Sequence, residues 1–548
     1  MTTINDSSAT LPTIAPARRD SQQTAFKAVV VGGGLAGLAA AVELASNLGP
    51  NAVAIVEKNL HLGGKMNILS DRGFTFDMGP TIITLPQVLK GIITRTGRKT
   101  SDYIDLRNLD PQWRCFYDDG TVLNLRRTFD DMLAELRTTF PNSGADAGFR
   151  SFVEYSRRMF SLSEKVFFYK DLGSVGDMMR LTPLGDPRLL RDVLAMRMHS
   201  TVGATVANHI KEPHLRQLCE HFLQYVGSSP FLSPAILSLI AAAQVDHGCW
   251  YPMGGTRKVA QSLERLASEL GVVAFTGVGV KRITNQGNKA TGVELEDGRT
   301  LSASSVVSNC DVQRTMRNLL DTPQSRSRQS KIAKDYTPAC SGVVLYLGLN
   351  RQYDHLAHHD FLFSRDSHEE FDDIYTKGIP ARDPSIYLAV PSRTDPTQAP
   401  QGCEALYVLI HTPYLRPGQR WTGPGGLMEQ YRPVVLNKLK TCGRMPDIEN
   451  HIVVEHHLHP NLIDSMYNAE GGAIYGLASH GRLKGGFKPR NRSMVLSNLY
   501  LAGGSANPGP GVPMVLMSGV TAARSLIEDL GAKPKGELEM KPLQMPVA

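Results

Sequence analysis

The chain has 548 residues, with 42% apolar and 20% charged side chains and a net charge of +7. That length exceeds what one simple core organises, so two or more subdomains are expected. The mild basicity comes without a lysine- or arginine-rich tract or a nucleic-acid motif, which argues against DNA and RNA as partners. Seven scattered cysteines include no CxxC pair. They read as reduced thiols of a cytoplasm-like compartment rather than a disulfide frame or a zinc site.

In chain order, residues 1–25 lack an apolar core and read as a disordered lead-in, neither a secretion signal nor a membrane span. Residues 26–31 form an apolar, β-branched run suited to a buried parallel strand. Gly32, Gly34 and Gly37 follow, and then an alanine-rich helix. This strand–turn–helix context is that of dinucleotide binding. Gly32 permits the tight turn, Gly34 lets backbone N–H groups reach a pyrophosphate, and Gly37 lets helix and strand approach. The helix N-terminus then favours the phosphate charge. A second strand, 53–56, ends at Glu57, whose carboxylate can accept both ribose hydroxyls of an adenosine. Gly63-Gly64-Lys65 follows, and then a strand-like Gly73-Phe74-Thr75-Phe76-Asp77 that turns at Gly79-Pro80-Thr81.

Residues 85–245 read as helical rather than strand-rich, with amphipathic stretches at 149–168 and 187–198. Their aromatics and methionines form either a helical core or a greasy tunnel with a membrane-dipping face, where Arg180, Arg188, Arg191 and Arg197 would touch headgroups. The longest apolar run, 234–245, is too short to cross a bilayer. Trp250-Tyr251-Pro252-Met253-Gly254-Gly255 then leads into a helix at 257–270. A strand-rich block follows at 272–275, 278–283, 290–295 and 303–311. Residues 335–470 hold plausible strands at 341–349 and 404–411. They also hold crowded histidines (His355, His358, His359, His451, His456, His457, His459) whose spacing fits no standard zinc motif. The stretch 480–492 carries five Lys/Arg and no acid. It reads as a solvated loop, with a membrane surface or a charged-headed acceptor as the other reading. Near the end, Leu499-Tyr500-Leu501-Ala502-Gly503-Gly504 is another strand running into glycines. After Asn507-Pro508-Gly509-Pro510-Gly511, Val512-Pro513-Met514 opens a final helix.

These motifs resemble the flavin amine oxidase superfamily, and within it the bacterial carotenoid desaturases of the phytoene and diapophytoene type. The resemblance is strongest over 26–81, 250–311 and 483–518. Lys65 stands where that family has arginine, and Asn507 where it has histidine. The resemblance implies an α/β fold. A glutathione-reductase-type, Rossmann-like FAD-binding domain would be assembled from 26–84, 246–320 and 481–535. An α+β substrate domain at 321–480 and a helical, membrane-facing region at 85–245 would be inserted into it, and a tail would follow from 536. It implies non-covalent FAD held by Gly32, Gly34, Gly37, Glu57, Gly63, Gly64, Lys65, Gly79, Pro80, Thr81, Val280 (through its backbone), Gly503, Gly504, Val512, Pro513 and Met514. No dedicated catalytic residue and no metal is implied. The expected function is desaturation of a long isoprenoid polyene by a peripheral, cytoplasmic enzyme reoxidised by a membrane quinone or oxygen. Sibling reactions (terminal oxygenation, isomerisation, saturation) and a non-redox isoprenoid carrier remain open.

Overall fold

A computed structural model describes residues 23–174, 176–177, 200–482 and 484–538. Two seven-stranded sheets organise them. The first is centred on Ala25–Val31, paired in parallel with Val53–Glu57 on one side and Thr300–Ser308 on the other. Val273–Thr276 adds in parallel beyond Val53–Glu57. The free edge of Thr300–Ser308 is shared. Its start pairs with the ribbon strand Lys289–Leu295 and its end with Leu499–Leu501. Strands buried on both faces carry continuous apolar runs rather than an alternation, as in Val53–Glu57. One face is covered by helices Leu35–Leu48, Arg257–Glu269 and Val512–Asp529. The alanines of Leu35–Leu48 let Val512–Asp529 come very close: a Cβ on Gly519 would lie 2.1 Å from the carbonyl oxygen of Ala36. The first and last helices of the described residues are thereby packed backbone to backbone.

The second sheet runs in the order Ile452–Leu458, Ser341–Leu349, Glu404–Thr412, Ile386–Ala389, His359–Leu362, Trp113–Phe116, Val122–Leu125. Its two longest strands, Ser341–Leu349 and Glu404–Thr412, are buried along their whole lengths. One face packs on Leu427–Lys440, the other on the helices around Ala145–Val166 and Pro213–His221. The expectation that 85–245 is helical needs correction here. Its hairpin Trp113–Phe116/Val122–Leu125 supplies the sheet edge, in parallel pairing with His359–Leu362. Four-residue strands are too short to print a clear period on the sequence.

Two buried contacts hold the hairpin Ile68–Asp71/Phe74–Asp77 between the second sheet and the helix layer of the first. Asp77 accepts the backbone N–H of Thr256 at 2.8 Å, and His456 meets Asp71 at 2.8 Å. The stretch 480–492 is not a solvated loop over most of its length. Lys488 and Asn491 are buried, and Lys488 Nζ donates to the Ala478 carbonyl and the Ser479 hydroxyl. Arg490 and Arg492 pair with Asp171, and Arg492 also with Asp529. The expected helix at 187–198 and the side chains Met178, Met179, Arg180, Arg188, Arg191 and Arg197 lie outside the described residues. So do residues 1–22, Leu483 and 539–548. Among the described residues no helix is long and apolar enough to cross a membrane.

Candidate cofactor and substrate cavity

A cavity of about 410 Å³ opens at the carboxyl ends of the parallel strands and reaches the second sheet, the position where open α/β sheets hold their ligands. Gly32, Gly34, Glu57, Gly63, Gly64, Lys65, Gly79, Pro80, Thr81, Val280, Gly503, Gly504 and Val512 all line it. Gly37, Pro513 and Met514 do not. Gly37 is turned against the strand, where a Cβ would meet the Gly32 carbonyl oxygen at 2.1 Å. Pro513 occupies the first turn of the last helix.

The glycine wall is built from backbone. Gly32 has φ +92°, a conformation that side chains resist. Leu35–Leu48 begins without a side-chain cap, and Gly34, Leu35 and Ala36 line the cavity. Val512–Asp529 also begins uncapped, with Gly511, Val512 and Val515 on the same cavity. First-turn N–H groups have no partners within their own helix, so two positive helix ends face one space. Glu57 is pinned beside them. Its Oε2 accepts the Gly33 N–H at 2.8 Å, and its Oε1 accepts the backbone N–H and the side-chain amide of Asn59, each at 2.9 Å. Burial raises its carboxyl above the ordinary value.

Asn309 joins the two glycine turns. Its Oδ1 accepts the Gly37 N–H at 3.1 Å, its Nδ2 donates to the Ala502 carbonyl at 3.2 Å, and its own N–H reaches Val31. The strand-rich block that contains Asn309 was visible in the sequence, but the bridging role of Asn309 was not, because both partners lie far away in the chain. The second turn is braced from behind. Ser518 Oγ accepts the Gly503 N–H at 3.0 Å and donates to the Asn507 carbonyl at 2.7 Å. Asn507 is buried, does not line the cavity, and donates from Nδ2 to the Lys170 carbonyl. The departure from histidine at this position thus falls behind the cavity wall.

Lys65 sits on the boundary. Its Nζ donates to the carbonyls of Ala473 and Ile474 at 3.0 and 2.7 Å. Burial brings its ammonium down to about 8, opposed by nearby Asp311. Two of its three protons are spent on these carbonyls. Beyond Lys65 the wall is aromatic: Trp113, Tyr225, Phe361, Tyr387, Tyr407, Tyr467 and Tyr475. Trp113 and Phe361 lie 4.4 Å apart between ring centroids, and Phe361 and Tyr387 4.9 Å. His221, Gln224 and His411 are set among these rings. The crowded histidines noted in the sequence lie elsewhere. Among the described residues no group of three or more His, Cys, Asp or Glu could hold a metal ion.

A cavity with uncapped helix ends, a pinned carboxylate and closely approaching glycines fits a dinucleotide. A Cβ on Gly34 would sit 2.8 Å from Asn309 Oδ1, and one on Gly64 3.1 Å from Gly34 Cα. The family model for flavin-containing amine oxidoreductases matches residues 35–527. The chain is 38% identical over 507 residues to a 4,4'-diapolycopene oxygenase of Methylomonas sp., covering 92% of this chain and 98% of that protein. It is 37% identical over 500 residues to a 4,4'-diaponeurosporene oxygenase of Staphylococcus haemolyticus, covering 91% and 96%. Wild-type putrescine oxidase bound to putrescine shares the fold, with a TM-score of 0.60 at 15% identity over 92% of this chain and 99% of that one. The chain belongs to the flavin-containing amine oxidoreductase family, within its carotenoid-modifying branch, and is an FAD-dependent oxidoreductase.

Proposed function

We propose that the chain oxidises the terminal carbon of an acyclic C30 polyene, an oxygenase-type reaction in carotenoid biosynthesis. The observation that carries this reading is the near full-length similarity to two diapocarotenoid oxygenases. The aromatic cavity supports it, because a conjugated chain is flat and apolar and gains from contact with ring faces. Desaturation of phytoene or diapophytoene is the second reading, favoured by the sequence motifs around Gly79 and Gly503.

In this reading Gly32, Gly34, Gly63, Gly64, Gly503, Gly504 and the start of Val512–Asp529 would hold the FAD. Glu57 would take its ribose, Val280 would meet the adenine through its backbone, and Gly79-Pro80-Thr81 would border it. Gly37, Pro513 and Met514 would act by shaping the helix starts rather than by contact. Bound there, FAD would supply a two-electron acceptor for the hydride of a terminal allylic C–H, with one water giving the new oxygen and releasing a proton. The protein's own part is to exclude bulk water with its aromatic wall and to hold one end of the chain against the glycine turn. An apolar substrate of this kind has to be drawn from a bilayer, so we also propose peripheral attachment to a membrane, with a quinone or oxygen as final acceptor. The seven free cysteines support a reducing compartment such as the cytoplasm.

Co-expression in a host that makes 4,4'-diapolycopene, followed by chromatography and mass spectrometry, tests the assignment. Pigments gaining terminal oxygen are expected. In a second host that makes diapophytoene, a coloured hydrocarbon would move the assignment to desaturation, and unchanged material in both hosts would overturn it.

A further inference from the structure

We propose that Gln224, His411 and His221 form a polar pocket within the aromatic cavity that binds the oxygen of a polyene end already oxidised to an aldehyde or primary alcohol. This rests on the oxygenase reading and extends it, because it makes the oxidised intermediate a ligand in its own right.

The three side chains come from separate elements. His221 ends the helix Pro213–His221, Gln224 lies in the 3-10 turn Phe222–Val226, and His411 lies on Glu404–Thr412. All three line the cavity and are at most 7% exposed. Gln224 Oε1 accepts the Tyr375 hydroxyl at 3.2 Å. That bond directs the amide nitrogen away from Tyr375, and Nε2 is buried without a partner within the protein. Nε2 of His411 is likewise buried and unpartnered. The two imidazoles are near enough to influence each other, and burial keeps both neutral. A neutral imidazole offers one donor and one acceptor, and an amide NH₂ offers two donors. The set therefore suits a carbonyl, which accepts, and a hydroxyl, which does both.

A hydrocarbon end would leave these groups buried and unpaired, which a folded protein avoids unless something else meets the need. The pocket also stands close to the second glycine turn. His411 lies 6.1 Å from Tyr475 between ring centroids, and the following residue, Gly476, packs so tightly on Gly504 that a Cβ would come within 2.9 Å of its carbonyl carbon. An end held here is an end beside the cofactor cradle. A first oxidation product would be retained for a second round instead of being released.

The test uses FAD-loaded full-length protein in detergent micelles with two probes, 4,4'-diapolycopene and the same C30 chain bearing one terminal aldehyde. The wild type is expected to bind the aldehyde at least tenfold more tightly. The bound aldehyde should have a red-shifted visible band and a lowered C=O stretch in the Raman spectrum, as a hydrogen-bonded carbonyl requires. Gln224→Leu and His411→Phe should lose both the preference and the shift, and His411→Asn should restore part of each. The flavin absorbance reports whether each variant is an intact holoenzyme. Equal wild-type affinities with an unshifted carbonyl would overturn the pocket while leaving the polyene reading in place. Failure of the wild type to bind either probe would overturn the polyene reading itself.

Discussion

The two walls of the cavity are made in different ways. The wall carried by the first sheet is backbone: glycine turns, two helix starts, and one carboxylate held by N–H donors. The wall carried by the second sheet is side chain: rings from several strands, with three polar groups set among them. A backbone wall tolerates almost no added atom, because nothing can swing aside. A side-chain wall is adjustable, and changing it should alter what is bound more than whether the protein folds.

The contrast is broken or sharpened most strongly at Gly519. The Cβ of Gly519→Val would fall 2.1 Å from the Ala36 carbonyl oxygen, and backbone must move to admit it. A loss of about 3 kcal/mol or more is expected, with most of the FAD gone. Thermal unfolding and the ratio of flavin to protein absorbance would measure both. Full flavin content in this variant would show that the backbone wall is softer than its geometry implies.

Asp77 stands where the walls join. Burial raises its carboxyl to about 6, against 3.8 in the unfolded chain. Between these values the folded state holds the additional proton, so stability falls as pH climbs from about 4 to about 6. The full span is worth about 3 kcal/mol. Asp77→Asn should flatten that slope in pH-dependent denaturation, since its amide oxygen still accepts the Thr256 N–H. An unchanged slope would mean that this carboxyl does not govern the junction.

The two walls also differed in how legible they were. Residues such as Gly32, Gly34 and Glu57 stand out in a sequence because a turn with φ +92° or a close helix start admits few residue types at fixed spacing. The strand limits around them, Ala25–Val31 and Val53–Glu57, lie within a residue of the expected ones. The opposite wall gave no such signal. Gln224 and His411 are separated by nearly two hundred positions, and glutamine or histidine in an apolar stretch has no characteristic spacing. The hairpin at Trp113 was hidden by its shortness. Lys488 was read as part of a charged surface loop because its neighbours are basic, yet its ammonium is buried on two oxygen acceptors. Charge runs say nothing about which member turns inward.

Asn309 offers a smaller test, at the seam between the two glycine turns. Asn309→Ala removes the bonds to the Gly37 N–H and the Ala502 carbonyl without adding an atom. Leaving buried backbone groups short of a partner should cost about 2 kcal/mol, which is roughly 25-fold in FAD affinity by the relation of about 1.4 kcal/mol per decade. Titration of apoprotein with FAD would measure it. Unaltered affinity would mean that the helix packing at Gly519 alone sets the spacing of the turns.

The smallest effect on the fold is expected at Phe361, in the side-chain wall. Phe361 packs on Trp113 and Tyr387, and Phe361→Leu keeps an apolar side chain while giving up ring contact. A stability change of about 1 kcal/mol is expected. FAD content should not move, because Phe361 comes from the second sheet and the cradle from the first. Polyene binding should weaken severalfold, since stacked ring contact is worth about 0.5–1.5 kcal/mol beyond area alone. Measured together, flavin content and polyene affinity separate the walls. If Phe361→Leu empties the protein of FAD, the two walls are mechanically one, and the division between a rigid cradle and an adjustable substrate face fails.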